Sequence, residues 1–355
     1  MTLSLSQLED LFEQIVTSGD YTFPQRDATE IVEKILRATE QETDHLPKLE
    51  TDFDISKAFN LRYSKFVTSI IRRFNLRGLE VPPVYAGAVN EGQLNATCRN
   101  IFESGAIVLV NAGLENFLYQ SHKILACSIE IGDVEPYYSI EQAGQLLNNL
   151  IRHAISGDPR SAPILPIPLA AIAILGLALT DATSRYVVAH EIAHLTETSE
   201  DQKNPVWQLE FGADSLATDY MIEFRRDQFS ENMSNNEMVR NRLILVAPIL
   251  FHELVFYRRV FGAVICESNS IEYRDHPPDL ERRDTVMARI QTSNCWNDVE
   301  CLYNTIARPL NSIYKNFLDY CEENSGFRRE MITVDHGLDQ ESDLRPLPQD
   351  LCKIN

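Results

Sequence analysis

The chain has 355 residues, 44% of them hydrophobic, which is enough apolar material for a sizeable core and excludes global disorder. Its 52 acidic against 32 basic residues leave a net charge of -20, which excludes nucleic-acid backbones and anionic membrane surfaces as general partners. The 7 cysteines are scattered and form no CxxC pair, so neither a disulfide framework nor a thiolate zinc site is expected, and a reducing cytoplasm is the natural compartment.

In chain order, helical periodicity covers residues 5–18, 28–39 and 55–74. The first is amphipathic through Leu5, Leu8, Leu11, Phe12, Ile15 and Val16. It lacks a basic stretch before an apolar run, so it reads as a helix and not as a secretory signal. The acidic, proline-containing segment 40–54 reads as a solvated connector. Strand-like runs follow at 84–89, 95–102 and 106–111, the last holding the apolar block Ile107-Val108-Leu109-Val110. From Leu114 the pattern is helical: 115–129, 139–155, 169–179, 183–198, 206–228, 237–264, 280–291 and 300–324, with a kink expected at Pro248. Residues 164–179 are almost wholly apolar. Pro166 and Pro168 interrupt their start, and the remainder falls short of the roughly 20 residues of a membrane span, so a buried core helix is expected. These elements predict an α+β, mostly helical chain: an N-terminal helical region (1–80), a core (81–330) and a loose polar tail (331–355).

The chemistry concentrates in residues 186–195. His190 and His194 are four apart, which puts both imidazoles on one helix face, one turn from each other. Two imidazoles so placed can bind one Zn²⁺, and Glu191, rotated beside them, can take a proton from water without ligating the metal. The bland alternative is a core helix with two satisfied histidines. A second segment argues for the metal: Glu210 can supply the third ligand of a site with an open position, and Asp214, one turn further, can accept the free N–H of a ligating imidazole. Asp214 sits among Phe211, Ala213, Leu216 and Ala217, so it needs a partner; a salt bridge to an arginine is the alternative role. His252-Glu253 resembles half of the same motif but has Phe256 where a second histidine belongs, and reads as an ordinary helix pair. No GxSxG, GxxxxGK[ST] or strand-borne GxGxxG occurs, so serine-hydrolase and nucleotide-binding readings have no support.

The pattern His190-Glu191-x-x-His194 followed by Glu210-x-x-Ala213-Asp214 resembles the gluzincin metallopeptidases, and most closely the M48-like ones. A downstream run, Tyr273-Arg274-Asp275-His276-Pro277-Pro278, followed by Arg282 and Arg283, is similar to a further segment of that family. The resemblance covers about residues 165–290. It implies a zincin-like core with a small sheet bordering the cleft, and Zn²⁺ held by His190, His194 and Glu210. It further implies Glu191 as the base, and His276, with Tyr273 or Arg274 as alternatives, as donor to the oxyanion. The implied activity is endopeptidase hydrolysis of an intracellular protein or peptide. The sequence departs from M48-like peptidases in having no convincing membrane span, which favours a soluble relative; the soluble phage-exclusion proteases of the Lit type are a more distant likeness. Two rival readings remain at this stage: a scaffold or binding protein with a structural or lost zinc, and a zinc hydrolase of a non-peptide amide. Structural zinc sites are usually closed by four ligands and rich in cysteine, and a scaffold has no use for Glu191.

Overall fold

The computed structural model describes residues 2–19, 55–101, 104–130, 135–155, 170–197, 204–230, 232–265, 270–272, 277–325, 333–335 and 345–346. Helix α1 (Leu5–Ser18) starts at a capping box: Ser4 accepts from the Gln7 N–H at 3.2 Å, and the Gln7 side chain accepts from the Ser4 N–H at 2.9 Å. Helix α2 (Ile55–Leu76) leads to strands β1 (Val84–Val89), β2 (Ala96–Asn100) and β3 (Ala106–Asn111). The expected helix 28–39 and connector 40–54 lie outside the described residues.

The three strands form a sheet in the order β1-β3-β2, with β3 parallel to β1 and antiparallel to β2. All six residues of β3 are buried, because both faces are covered. Ala106, Val108 and Val110 face the main core. Ile107 and Leu109 face Leu8, Phe12 and Val16 of α1. The fit of α1 is close at Gly87, where a Cβ would stand 2.4 Å from the Phe12 ring. At the β1 edge, Asn60 of α2 accepts the Ala88 N–H at 3.3 Å. At the other edge, β2 pairs only with β3 among the described residues.

The helices that follow are α3 (Ala112–Cys127), α4 (Ile140–Ile155), α5 (Ala170–Ala193), α6 (Val206–Gln228), α7 (Asn235–Ile265), α8 (Asp279–Thr292) and α9 (Trp296–Ser325). Helix α5 is the axis of the assembly and packs against α3, α6 and α7. It is largely apolar and largely buried, with Leu177 exposed and Asp181 half-exposed. It also corrects the sequence reading, which divides it into 169–179 and 183–198. The polar residues at the supposed break are absorbed within one continuous helix. The Thr180 hydroxyl donates to the Gly176 carbonyl at 2.8 Å, and Asp181 accepts from Arg62 of α2 at 3.1 Å. No described helix is long and apolar enough to cross a membrane.

Pro248 and Pro309 sit inside α7 and α9. The three short strands β4 (Ser270–Glu272), β5 (Thr333–Asp335) and β6 (Arg345–Pro346) form a second sheet in the order β4-β5-β6. Two pieces of the expected tail are therefore paired; the rest of it lies outside the described residues.

Candidate metal centre

Three elements converge at the C-terminal end of α5. His190 and Glu191 lie in its last turn, and His194 opens a single 3₁₀ turn, His194–Thr196, that follows it. The turn is held by the Thr196 hydroxyl, which donates to the Ala193 carbonyl at 2.8 Å. Helix α6 presents Glu210 and Asp214 across from them. The first turn of α8 brings in Arg282, after Pro278 has set that helix's start.

His190, His194 and Glu210 each offer a ligand atom, and these atoms lie within 4.8 Å of one another. The two Nε2 atoms are 3.1 Å apart. His190 Nε2 is 3.4 Å from Glu210 Oε2, and His194 Nε2 is 3.6 Å from Glu210 Oε1. Zinc bonds to nitrogen and carboxylate oxygen of about 2.0–2.2 Å in a tetrahedron require ligand-to-ligand edges of roughly 3.3–3.6 Å. The Glu210 separations meet that range, each through a different oxygen, and the Nε2 pair is slightly closer, so the donor set suits a small divalent cation with nitrogen and oxygen ligands.

The outward nitrogens are also engaged. His194 Nδ1 is 2.6 Å from Glu197 Oε1. His190 Nδ1 is 2.9 Å from Asp214 Oδ1, at contact distance but without hydrogen-bond alignment. Each imidazole thus has a carboxylate behind it, the arrangement that fixes which nitrogen faces a metal. Burial alone lowers the proton affinity of His190, but Asp214 outweighs it and raises the imidazole to about 9. Surroundings that favour a proton on His190 favour another cation in its place.

Asp214 is fully buried, pairs with an arginine and lies in contact with His190 Nδ1. Arg282 grips it with two bonds, Nε to Oδ2 at 2.7 Å and an NH2 to Oδ1 at 2.8 Å. The Tyr186 hydroxyl also donates to Oδ1, at 2.8 Å, and stands 3.0 Å from His252 Nε2. Burial would raise the Asp214 carboxyl, yet Arg282, with His190, holds it well below the usual carboxylate range. Burial drives His252 down to about 3, so this imidazole is neutral. The Arg282 NH2 also reaches to 3.2 Å from Glu210 Oε2.

Glu191 shares a cavity of about 130 Å³ with His190, Glu210, Tyr186 and Ala96 of β2. Its carboxylate accepts a hydrogen bond from the Cys98 backbone N–H, also on β2. Burial raises its proton affinity, which the neighbouring imidazoles and the Cys98 bond partly offset. The sheet thus borders the site along β2. The loop before that strand is pressed against α3 at Gly113, whose N–H donates to the Glu91 carbonyl at 2.7 Å. A Cβ there would stand 2.2 Å from the Gly92 carbonyl oxygen.

The sequence reading assigned no role to Tyr186, Glu197, His252 or Arg282. Glu197 had a local signal, a carboxylate three residues after His194, and Arg282 only its place after the His276-Pro277-Pro278 run. His252 is part of the buried network and not a bare helix pair, while Glu253 faces elsewhere, accepting from the Tyr303 hydroxyl at 2.6 Å. Tyr273, Arg274 and His276 lie outside the described residues. Among known proteins, no family model, no curated protein and no solved structure matches the chain.

Proposed function

We propose that the chain is a zinc-dependent peptidase with a zincin-like core of the gluzincin kind, hydrolysing peptide bonds of a protein or peptide substrate in a reducing compartment. The observation that carries this reading is the donor set. Two imidazole nitrogens and a carboxylate oxygen lie within 4.8 Å of one another, a carboxylate lies behind each imidazole, and a further carboxylate outside that cluster stands in the same cavity. A closed structural site does not need that last group.

His190, His194 and Glu210 would hold the metal, which when bound supplies Lewis acidity that polarises a carbonyl and acidifies water. The chain's own residues do the rest. Glu191 takes a proton from the attacking water at its carboxylate and returns it to the leaving nitrogen; the raised proton affinity suits that transfer. The Cys98 N–H fixes where that carboxylate points. Asp214 and Glu197 hold the imidazole orientations, and Arg282 keeps Asp214 in place.

The purified protein should contain about one zinc per chain, as one three-ligand site requires. Elemental analysis of chelator-free protein checks this, and metal content unchanged in a His190→Ala/His194→Ala double variant would end the assignment. Glu197→Gln should weaken zinc affinity by about 10–100-fold, the usual loss when a partner behind a ligand is removed. Competition with a chromogenic chelator measures it, and an unaltered affinity would mean that the Glu197 contact is incidental.

A further inference from the structure

One wall of the cavity has no place in the reaction just described. Arg258 and Arg259 of α7 line it, on the same cavity as His190, Glu191 and Glu210. Arg259 Nε is 2.9 Å from Asp279 Oδ2, so that charge is matched. Arg258 is different. It is half-buried and its Nε is buried without a hydrogen-bond partner. The Arg259 Nε also lacks an aligned bond but has Asp279 beside it, whereas no carboxylate pairs with Arg258 among the described residues. Burial and the adjacent Arg259 both weaken its hold on its proton, and Asp279 opposes them only in part. A cation withdrawn from water without a counter-charge is costly, and the cost disappears when a ligand brings the anion. Of the cavity's carboxylates, Asp279 lies 2.9 Å from Arg259 and Glu210 3.2 Å from Arg282, while Glu191 stands beside the imidazoles.

We propose that Arg258 recognises a carboxylate of the substrate, so that an acidic residue or a carboxyl-terminal residue occupies this cavity next to the bond that is cut. The inference rests on the peptidase reading and adds the substrate class. At about 130 Å³ the cavity is smaller than the roughly 300–1,000 Å³ of sites that enclose a whole small molecule, so it takes one side chain or one chain end. A guanidinium suits this task because its planar fork meets a carboxylate with two parallel hydrogen bonds.

The test uses the full-length protein as purified and three capped amino acids. N-acetylglutamine amide has no carboxylate, N-acetylglutamate amide has one on the side chain, and N-acetylglutamine has one at the chain end. Ligand-observed NMR should show one acidic probe binding about 10–100-fold tighter than the neutral one, the usual value of a charge-assisted pair. Which acidic probe wins identifies the source of the carboxylate. Arg258→Gln should erase the difference, while its melting temperature holds or rises because an unmatched cation has been removed. Equal binding of the three probes, a preference that survives Arg258→Gln, or a clear fall in melting temperature of that variant overturns the inference. Digestion of a mixed peptide pool separates it from the reading beneath it. Glu191-dependent cleavage without a carboxylate preference overturns the inference alone. Arg258-dependent carboxylate binding with no Glu191-dependent cleavage overturns the peptidase reading and leaves the carboxylate site standing.

Discussion

Glu191→Gln should lower peptide hydrolysis by about 10²–10⁴-fold while leaving zinc content and melting temperature unchanged. Glu191 lines the cavity beside His190 and Glu210 but is not part of the three-atom ligand cluster. The amide keeps the size of the side chain and can still accept the Cys98 N–H through its oxygen, so the fold has nothing to lose; what it cannot do is take a proton. The natural readout is a comparison of cell proteomes exposed to active enzyme and to Glu191→Gln, followed by kinetics on any peptide that is cut. A variant that lost zinc as fully as His194→Ala would show that Glu191 is a ligand, and the division of roles would be wrong.

Asp214→Ala should have the largest effect on stability, of about 3 kcal/mol, because it removes the carboxylate that grips the buried Arg282 with two bonds and leaves only Glu210, at 3.2 Å, to offset that cation. It should also lower zinc affinity by about 10–100-fold through His190. The two consequences separate in the Asp214→Ala/Arg282→Met double variant. With that cation gone, most of the stability should return, whereas the affinity loss should persist because nothing then backs His190. Denaturant unfolding of metal-free protein measures the first and chelator competition the second. If the double variant unfolded as easily as the sum of the two singles predicts, the pair would not be coupled and the buried network would be misread.

Local signals made much of the chain legible. The 5–18 periodicity and the apolar block in β3 each state an element's position within a few residues. The four-residue spacing of His190 and His194 was equally local, since it depends only on helical pitch. What the sequence could not show are partners joined by the fold. Arg282 is 68 positions from Asp214, and His252 is 66 from Tyr186. Neither pair leaves a mark on periodicity, and the half-motif at His252 looked like noise because its meaning lies in burial and not in spacing. The division of α5 failed for a related reason: Thr180 and Asp181 look like a break until α2 supplies the arginine that satisfies Asp181. The pieces of β4, β5 and β6 are too short to display any period at all.

The bond from the Cys98 N–H to Glu191 has a mechanical consequence. The anchor is main chain, so substitutions at position 98 leave it intact unless proline removes the N–H or the strand itself shifts. Since a donor to the ionised carboxylate lowers its proton affinity, sliding or lifting β2 by an ångström would raise that affinity with no change in any side chain. The position of one edge strand therefore contributes to the basicity of Glu191, beside the larger effects of burial, the two imidazoles and Glu210.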